Sequence, residues 1–304
     1  MINSVSNATV PPDSIRAEHL IEALPYLLKY QGATIVIKFG GHAMTTPELK
    51  NNFAKDITLL RLLGLRPIVV HGGGPQINST LAALKIESYF VEGLRYTDSA
   101  TMEVVEMVLC GTIGKDLVSR VTLAGGSAIG LSGKDSALIL AEKIEVPHLD
   151  ENGAQTLIDI GFVGNPIDIN TKLLEYLTQE EGGGLIPIIS PVGTDSSGQT
   201  YNINADTAAG AIASALKAHK LILLTDVPGV LNENQDLIIT LTKKEILSLK
   251  QKNLITGGMI PKLDCCLTAM EKGCNAASII DGRVPHALLL EIFTHKGCGT
   301  EIKL

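Results

Sequence analysis

The 304-residue sequence contains no tryptophan, and aromatic residues make up only 4% of it, so it lacks the ring platforms that stack single-stranded nucleic acid. Positive charge is also scarce. Against 32 Asp and Glu there are 25 Lys and Arg, a formal charge of −7 that excludes the overall basic footprint of a nucleic-acid binder. The five cysteines, Cys110, Cys265, Cys266, Cys274 and Cys298, form no CxxC and no zinc spacing with histidine, so they read as reduced thiols rather than a disulfide framework. No apolar run approaches the about 18 residues of a membrane span, since stretches such as 221–224 end at once in polar residues. Residues 1–12 read as a loose tail without the basic and apolar regions of a secretory signal. Before residue 60 the only arginine is Arg16, unlike a transit peptide. These absences predict a cytoplasmic protein with no membrane or nucleic-acid partner.

What the sequence has in excess is glycine, with 30 residues. Hydrophobic residues make up 45% and charged residues 19%, far from the composition of a disordered chain. The length fits one large or two medium domains at about 100–200 residues each. Short β-branched runs alternate with segments of helical period, the pattern of an α/β fold with a largely parallel sheet. Strands are expected at 34–39 and 67–71, and between them Pro47 opens a helix with Leu49, Phe53, Ile57 and Leu60 on one face. Residues 127–131 and 185–190 read as further strands, and 138–164 as a polar hairpin. A cluster of turn formers at 191–198 reads as a linker. Beyond it the pattern restarts with an Ala-rich helix over 204–216, a strand at 221–224, a helix over 257–272 and a strand at 277–280, so a second lobe is expected. Ahead of the first strand, Leu20, Ile21, Leu24, Leu27 and Leu28 form one helical stripe that stops at Gly32. Such a stripe packs either on its own lobe or against the same helix of another subunit.

Three glycine clusters punctuate the pattern: Gly40-Gly41 after the first strand, Gly72-Gly73-Gly74 after the second, and Gly257-Gly258 ahead of Lys262. Glycine lets a ligand approach the backbone, and the helix N-terminus beyond it offers unpaired N–H groups to an anion. A strand-to-helix turn calls for glycine on its own account, so each cluster taken singly also has a purely structural reading. The familiar nucleotide motifs do not apply. Both Gly-Lys pairs, at Gly114 and Gly133, are followed by Asp and have Leu109 and Ala128 where a Walker A loop has its first glycine. No G-x-G-x-x-G follows the first strand, and neither H-R-D nor D-F-G occurs, which sets aside dinucleotide and protein-kinase chemistry.

The ordered set Ile37-Lys38-Phe39-Gly40-Gly41, His71-Gly72-Gly73-Gly74-Pro75, Gly93-Leu94-Arg95, Asn202-Ile203-Asn204-Ala205-Asp206, Thr225-Asp226-Val227-Pro228-Gly229-Val230 and Gly257-Gly258-Met259-Ile260-Pro261-Lys262 resembles the amino acid kinase family. The likeness runs from about residue 21 to residue 302, and within the family it matches members that phosphorylate N-acetyl-L-glutamate. It implies a three-layer αβα sandwich with a central, mostly parallel sheet, two lobes and an extra N-terminal helix. The divisions it implies are a tail and amphipathic helix over 1–32, an N-lobe over 33–192 for acetylglutamate binding and dimerisation, and a C-lobe over 193–304 for ATP. The implied reaction moves the γ-phosphoryl of ATP to a side-chain carboxylate in arginine biosynthesis, with Mg²⁺ carried on the phosphates and no protein metal ligand. A carboxylate of ordinary pKa, about 4.3, is ionised at neutral pH, so no general base is required. The obstacle is repulsion between two anions, a task for positioning and cations.

By the resemblance, Lys38 and Lys262 stabilise the transferring phosphoryl group while Asp206 holds both ammonium groups. Read alone, Asp206 is also a good first-turn helix carboxylate. Gly40 and Gly41 are implied to bind phosphate, and Gly73, Gly74, Arg95 and Asn202 to bind acetylglutamate, the Arg95 fork being suited to a carboxylate. Thr225, Asp226, Gly229 and Met259 are implied to bind the nucleotide. Tyr26, Glu291 and Gly299 resemble the effector site of an allosteric, arginine-inhibited branch that is hexameric, a trimer of dimers. Some relatives in it bind a PII nitrogen-signalling protein. The plainer reading is that these residues close the second lobe. A protein that only senses arginine or binds a partner is the competing class, and the two lysines, Asp206 and the glycine loops count against it.

Overall fold

Aliphatic and β-branched runs bounded by glycine and proline form the strands, and the computed structural model describes residues 14–149, 155–255 and 257–304. The expected tail over 1–12 lies outside the described residues. Helix α1 (Ser14–Tyr30) leads into β1 (Thr34–Phe39), α2 (Pro47–Leu62), β2 (Arg66–His71) and α3 (Gly74–Ala83). The Thr46 hydroxyl caps α2 by accepting the Leu49 N–H, and Pro47 takes the first helical position, where its missing N–H costs nothing. A short hairpin, β3 (Phe90–Val91) and β4 (Leu94–Arg95), precedes α4 (Ser99–Glu106). A π-helical turn at Met107–Ile113 then continues into α5 (Gly114–Leu123). Next come β5 (Ala128–Ser132), the long strands β6 (Ile139–Leu149) and β7 (Gln155–Ile169), α6 (Thr171–Thr178) and β8 (Ile186–Ser190). Strands β9 (Val192–Thr194) and β10 (Thr200–Ile203), helix α7 (Ala205–Ala215), β11 (Lys220–Thr225), β12 (Thr240–Thr242) and α8 (Lys243–Gln251) follow. The chain ends with α9 (Met259–Glu271), β13 (Ala277–Asp281), α10 (Ala287–Phe293) and β14 (Gly299–Lys303).

Eight strands form the central sheet in the order β12-β14-β13-β11-β1-β2-β8-β5. All its pairings are parallel except that of β13 with β14. Strands β1, β2, β5 and β8 make one half and the four later strands the other, so the β1–β11 pairing is the seam between them. Alternation along β1 sends Ile35, Ile37 and Phe39 to a core shared with α2 and α10, and Val36 to a second core shared with α7 and α9. The sheet is thus covered on both faces, which is why β8 and β11 read as continuous apolar runs and are buried along their whole length.

The polar hairpin is longer than its expected span. Strands β6 and β7 pair from Ile139 opposite Ile169 to Leu149 opposite Gln155, and close with β9 and β10 into a small four-stranded barrel. The turn-forming stretch 191–198 therefore contains strand β9 and, beyond it, a turn whose Asp195 carboxylate accepts the N–H groups of Ser197 and Gln199. In α1, Leu20, Ile21 and Leu28 are 70, 68 and 68% exposed, so the apolar stripe largely avoids its own core. Tyr26 and Tyr30 provide the inward contact, and α1 rests on α10.

Candidate active site

Strands β1 and β2 are neighbours that both end in glycine, and the Gly72 N–H donates to the Phe39 carbonyl at 2.8 Å, so the two exit loops lie side by side. Period-two alternation puts Lys38 on the Val36 face of the sheet, where α7 begins. Asn204 caps α7, its side-chain oxygen accepting the N–H groups of Asp206 and Thr207 at 2.9 and 3.2 Å. A Cβ at residue 40 would lie 2.9 Å from the Lys38 Nζ, so glycine there leaves the ammonium its place. Gly41 has φ 66°, a conformation that favours glycine. Helix α9 starts at Met259, two residues beyond Gly257, and carries Lys262 to the same point.

Asp206 is bracketed by both lysines. Lys38 Nζ lies 3.0 Å from its Oδ1 and Lys262 Nζ 2.5 Å from its Oδ2, with all three side chains largely buried. Burial alone would raise the Asp206 pKa, but the charges of Lys38 and Lys262 together outweigh it and hold the carboxyl below its ordinary range. Burial pushes Lys38 down, and Asp206 opposes that shift. Two cations share one anion, which leaves one positive charge in excess. Behind them the Cys265 thiol donates to the Asp206 carbonyl at 3.0 Å, and burial pushes that thiol up to about 12, the behaviour of an inert packing group.

Arg95 ends the β3–β4 hairpin and is only 6% exposed. Its guanidinium donates to the Ser88 hydroxyl and to Asn78 Oδ1 at 2.6 Å for the latter, and lies 4.6 Å over the Phe90 ring. None of the ion pairs among the described residues involves Arg95, so among them this buried cation has no anion. The Thr97 hydroxyl donates to the Arg95 carbonyl at 2.8 Å and accepts the Asn202 side-chain N–H at 3.2 Å, joining the two expected substrate residues. Ser88, Asn78 and Thr97 carry no motif of their own. The one available signal was Asn78, one helical turn beyond Gly74 on α3. Gly73 caps α3, Gly74 opens it, and Pro75 takes its second position.

Thr225 closes β11, its hydroxyl donating to the Asp226 carboxylate at 3.3 Å, and Met259 opens α9. Gly229 has φ 147°, and a Cβ there would lie 2.6 Å from the Thr300 hydroxyl, so packing against β14 already requires glycine. In the expected effector region Glu291 is buried. Its Oε1 lies 2.7 Å from Lys220 Nζ and its Oε2 accepts the Cys298 N–H at 3.0 Å, a partnership the sequence did not disclose. At residue 299 a Cβ would meet the Ile279 carbonyl at 2.1 Å, so Gly299 is needed for the β13–β14 contact. Tyr26 of α1 packs against the core that includes α10. Among the described residues no group of three His, Cys, Asp or Glu side chains converges as a metal cage would.

The amino acid kinase family model matches residues 33–281. An acetylglutamate kinase of Novosphingobium aromaticivorans is 53% identical over 95% of this chain and 96% of its own length. Among solved structures, N-acetylglutamate synthase from Neisseria gonorrhoeae complexed with coenzyme A and N-acetyl-glutamate superposes over 95% of this chain with TM-score 0.81 and 26% identity. The same synthase complexed with coenzyme A and L-arginine superposes over 94% with TM-score 0.77 and 26% identity. This chain spans 63% and 65% of those two synthase chains. With the family model covering most of its length and a half-identical relative matched nearly end to end, the chain belongs to the amino acid kinase family, among the acetylglutamate kinases.

Proposed function

We propose that the protein transfers the γ-phosphoryl of ATP to the side-chain carboxylate of N-acetyl-L-glutamate, giving N-acetyl-L-glutamyl 5-phosphate for arginine biosynthesis. The observation that carries this is the sharing of Asp206 between Lys38 and Lys262, at 3.0 and 2.5 Å. With one ammonium group against each of its oxygens, Asp206 is an organiser and not a base, and the excess charge suits an anionic transition state. In this mechanism Lys262 meets the transferring phosphoryl and leaving oxygen, and Lys38 meets the phosphate oxygens as charge develops. Gly40, Gly41, Gly73 and Gly74 direct N–H groups at the same oxygens. Arg95, a buried cation with no anion among the described residues, is neutralised by a substrate carboxylate, and Asn202 holds the α-carboxylate end. Thr225, Asp226, Gly229 and Met259 lie around the nucleotide. Because the one carboxylate at the centre is already taken, the donor set fits Mg²⁺ held on the ATP phosphates, where it neutralises phosphate charge.

In the same proposal the N-lobe spans 33–192 and binds acetylglutamate, and the C-lobe spans 193–304 and binds ATP. Arginine is the feedback inhibitor, held between α1 and the C-terminal segment by Tyr26, Glu291 and the chain near Gly299. The arginine complex of the structurally similar synthase supports that choice of effector. The exposed Leu20, Ile21 and Leu28 on α1 support a subunit contact through this helix, joining dimers into a hexamer. A PII signalling protein is a further partner, and the cytoplasm is the compartment.

ATP-dependent hydroxamate formation tests the chemistry. Turnover is expected with N-acetylglutamate, and activity with glutamate or carbamate in its place would overturn the assignment. Calorimetry with arginine tests the regulation. Binding by a protein of hexameric solution mass is expected, and no binding by a dimer would reject the regulated hexamer.

A further inference from the structure

Gly73 stands where the second glycine loop enters α3, and the direction of its N–H is tied to that of the Gly72 carbonyl, because the two point opposite ways across one planar trans peptide. That carbonyl is held. His71 Nδ1 lies 3.0 Å from the Gly72 oxygen, and His71 Nε2 lies 2.9 Å from the Ser190 hydroxyl at the end of β8. A carbonyl only accepts, so the Nδ1 contact calls for a proton on Nδ1, and Nε2 then accepts from Ser190. The ring is fully buried, and burial pushes its pKa down to about 4, so at neutral pH it has one proton to place. The Leu109 carbonyl of the π-helical turn also lies 3.1 Å from the Ser190 hydroxyl, but it already accepts the Gly114 N–H, so the single Ser190 proton is free for Nε2. Leu109 and Ile113 of that turn also close on Gly73, where a Cβ would lie 2.6 and 2.4 Å from their methyl carbons.

The sheet supplies the direction. His71 continues the β2 alternation on the face of Val69, in the core with α2, whereas Lys38 shares the opposite face with Val36 and α7. A Gly72 carbonyl turned to the His71 side sends the Gly73 N–H to the side of Lys38 and Asp206. No acceptor among the described residues takes that N–H. We propose that His71 is a positioning residue for phosphoryl transfer: its Nδ1–H fixes the Gly72–Gly73 peptide so that the Gly73 N–H faces the reacting anions. The proposal rests on the phosphotransfer role assigned to this loop above. Ser190, by giving its one proton to Nε2, holds the imidazole in the tautomer that makes the contact.

Four variants and one spectrum test it. An Asn side-chain amide reaches the place of Nδ1, and a Gln amide reaches the place of Nε2. His71→Asn should keep kcat within about threefold, while His71→Gln and His71→Ala should lose about tenfold to a hundredfold with little change in the KM for ATP. The Asn and Gln variants should lose similar amounts of Tm. Equal losses of kcat in both, in step with Tm, or wild-type turnover in His71→Ala, would overturn the positioning role. Ser190→Ala should lower kcat a few-fold, and an unchanged kcat counts against the relay. Nitrogen-15 spectra of the wild-type imidazole should show the Nδ1–H tautomer at neutral pH, and the Nε2–H form would overturn the assignment whatever the variants do. A wild-type protein inactive on N-acetylglutamate would fail the functional reading instead, with the tautomer still deciding the His71 geometry.

Discussion

Two lysines enter the interior from the paired strands β1 and β11, and they differ in how many cations share the carboxylate they meet. Lys220, at the start of β11, has Glu291 to itself at 2.7 Å, with the Cys298 N–H on the second oxygen. Lys38, near the end of β1, shares Asp206 with Lys262. Burial and distance are much alike in the two places, so neither distinguishes a structural ion pair from a reaction centre. Under the proposed function, the ratio of charges does. A one-to-one pair is electrostatically complete, whereas two ammonium groups on one carboxylate keep a positive charge for an anionic ligand. An arginine guanidinium reaching Glu291 would convert the first arrangement into the second.

The largest expected effect tests the complete pair. Lys220→Met leaves Glu291 buried without a cation and should cost about 3–5 kcal/mol in denaturant unfolding, and the double variant Lys220→Met/Glu291→Leu should regain most of it. A single-variant loss near zero would remove the distinction drawn between the two clusters. On the other side, Lys38→Ala and Lys262→Ala should each lower kcat by on the order of 10²–10³. Their stability should fall less than that of Lys220→Met, because removing one ammonium relieves repulsion from the other. Near-wild-type turnover in either would refute its role.

Acid separates the ion cluster from its neutral neighbour. Asp206, held low by its lysines, stays ionised above the ordinary carboxylate range, so its stabilisation is lost only as pH falls below that range. His71 behaves otherwise. Between its ordinary 6.5 and its native value of about 4 the unfolded chain binds a proton that the native ring refuses, so stability should decline as pH drops, by up to about 3 kcal/mol. Unfolding midpoints followed from pH 7 to 4 check this, and His71→Asn should remove that component of the slope. The smallest effect concerns the contact between α2 and the loop before α10, where His286 Nδ1 meets the buried Asp56 Oδ1 at 2.5 Å. His286→Ala orphans that carboxylate and should cost about 1–3 kcal/mol, and thermal unfolding identical to wild type would show the contact to be incidental.

Local order explains which parts were legible in the sequence. Strand β1 falls on the expected 34–39, and Pro47 opens α2 as foreseen, because strand period, helix period and capping act within a few residues. The hairpin of β6 and β7 was recognisable, but its length was not, since its far end depends on pairing with β9 and β10. Lys38, Asp206 and Lys262 were singled out through motifs, and the structure brings them together. Their neighbours Ser88, Asn78 and Thr97 were not, because short polar residues have no periodic signature until Arg95 and Asn202 stand beside them. Ser190 is 119 residues from His71 and Glu291 is 71 residues from Lys220, separations at which one chain carries no trace of the pairing.

By itself the sequence determined an α/β chain whose strands end in glycine loops, with lysines at two of those loops, because each of these follows from residue type and short-range spacing. The motifs already implied that Asp206 serves two lysines, but only the tertiary structure decided that Glu291 serves one, Lys220. It likewise decided which way the Gly72 carbonyl faces. Charge ratios and peptide orientation depend on burial and on distances through space, and the sheet, by joining β1 to β11 and β2 to β8, sets both.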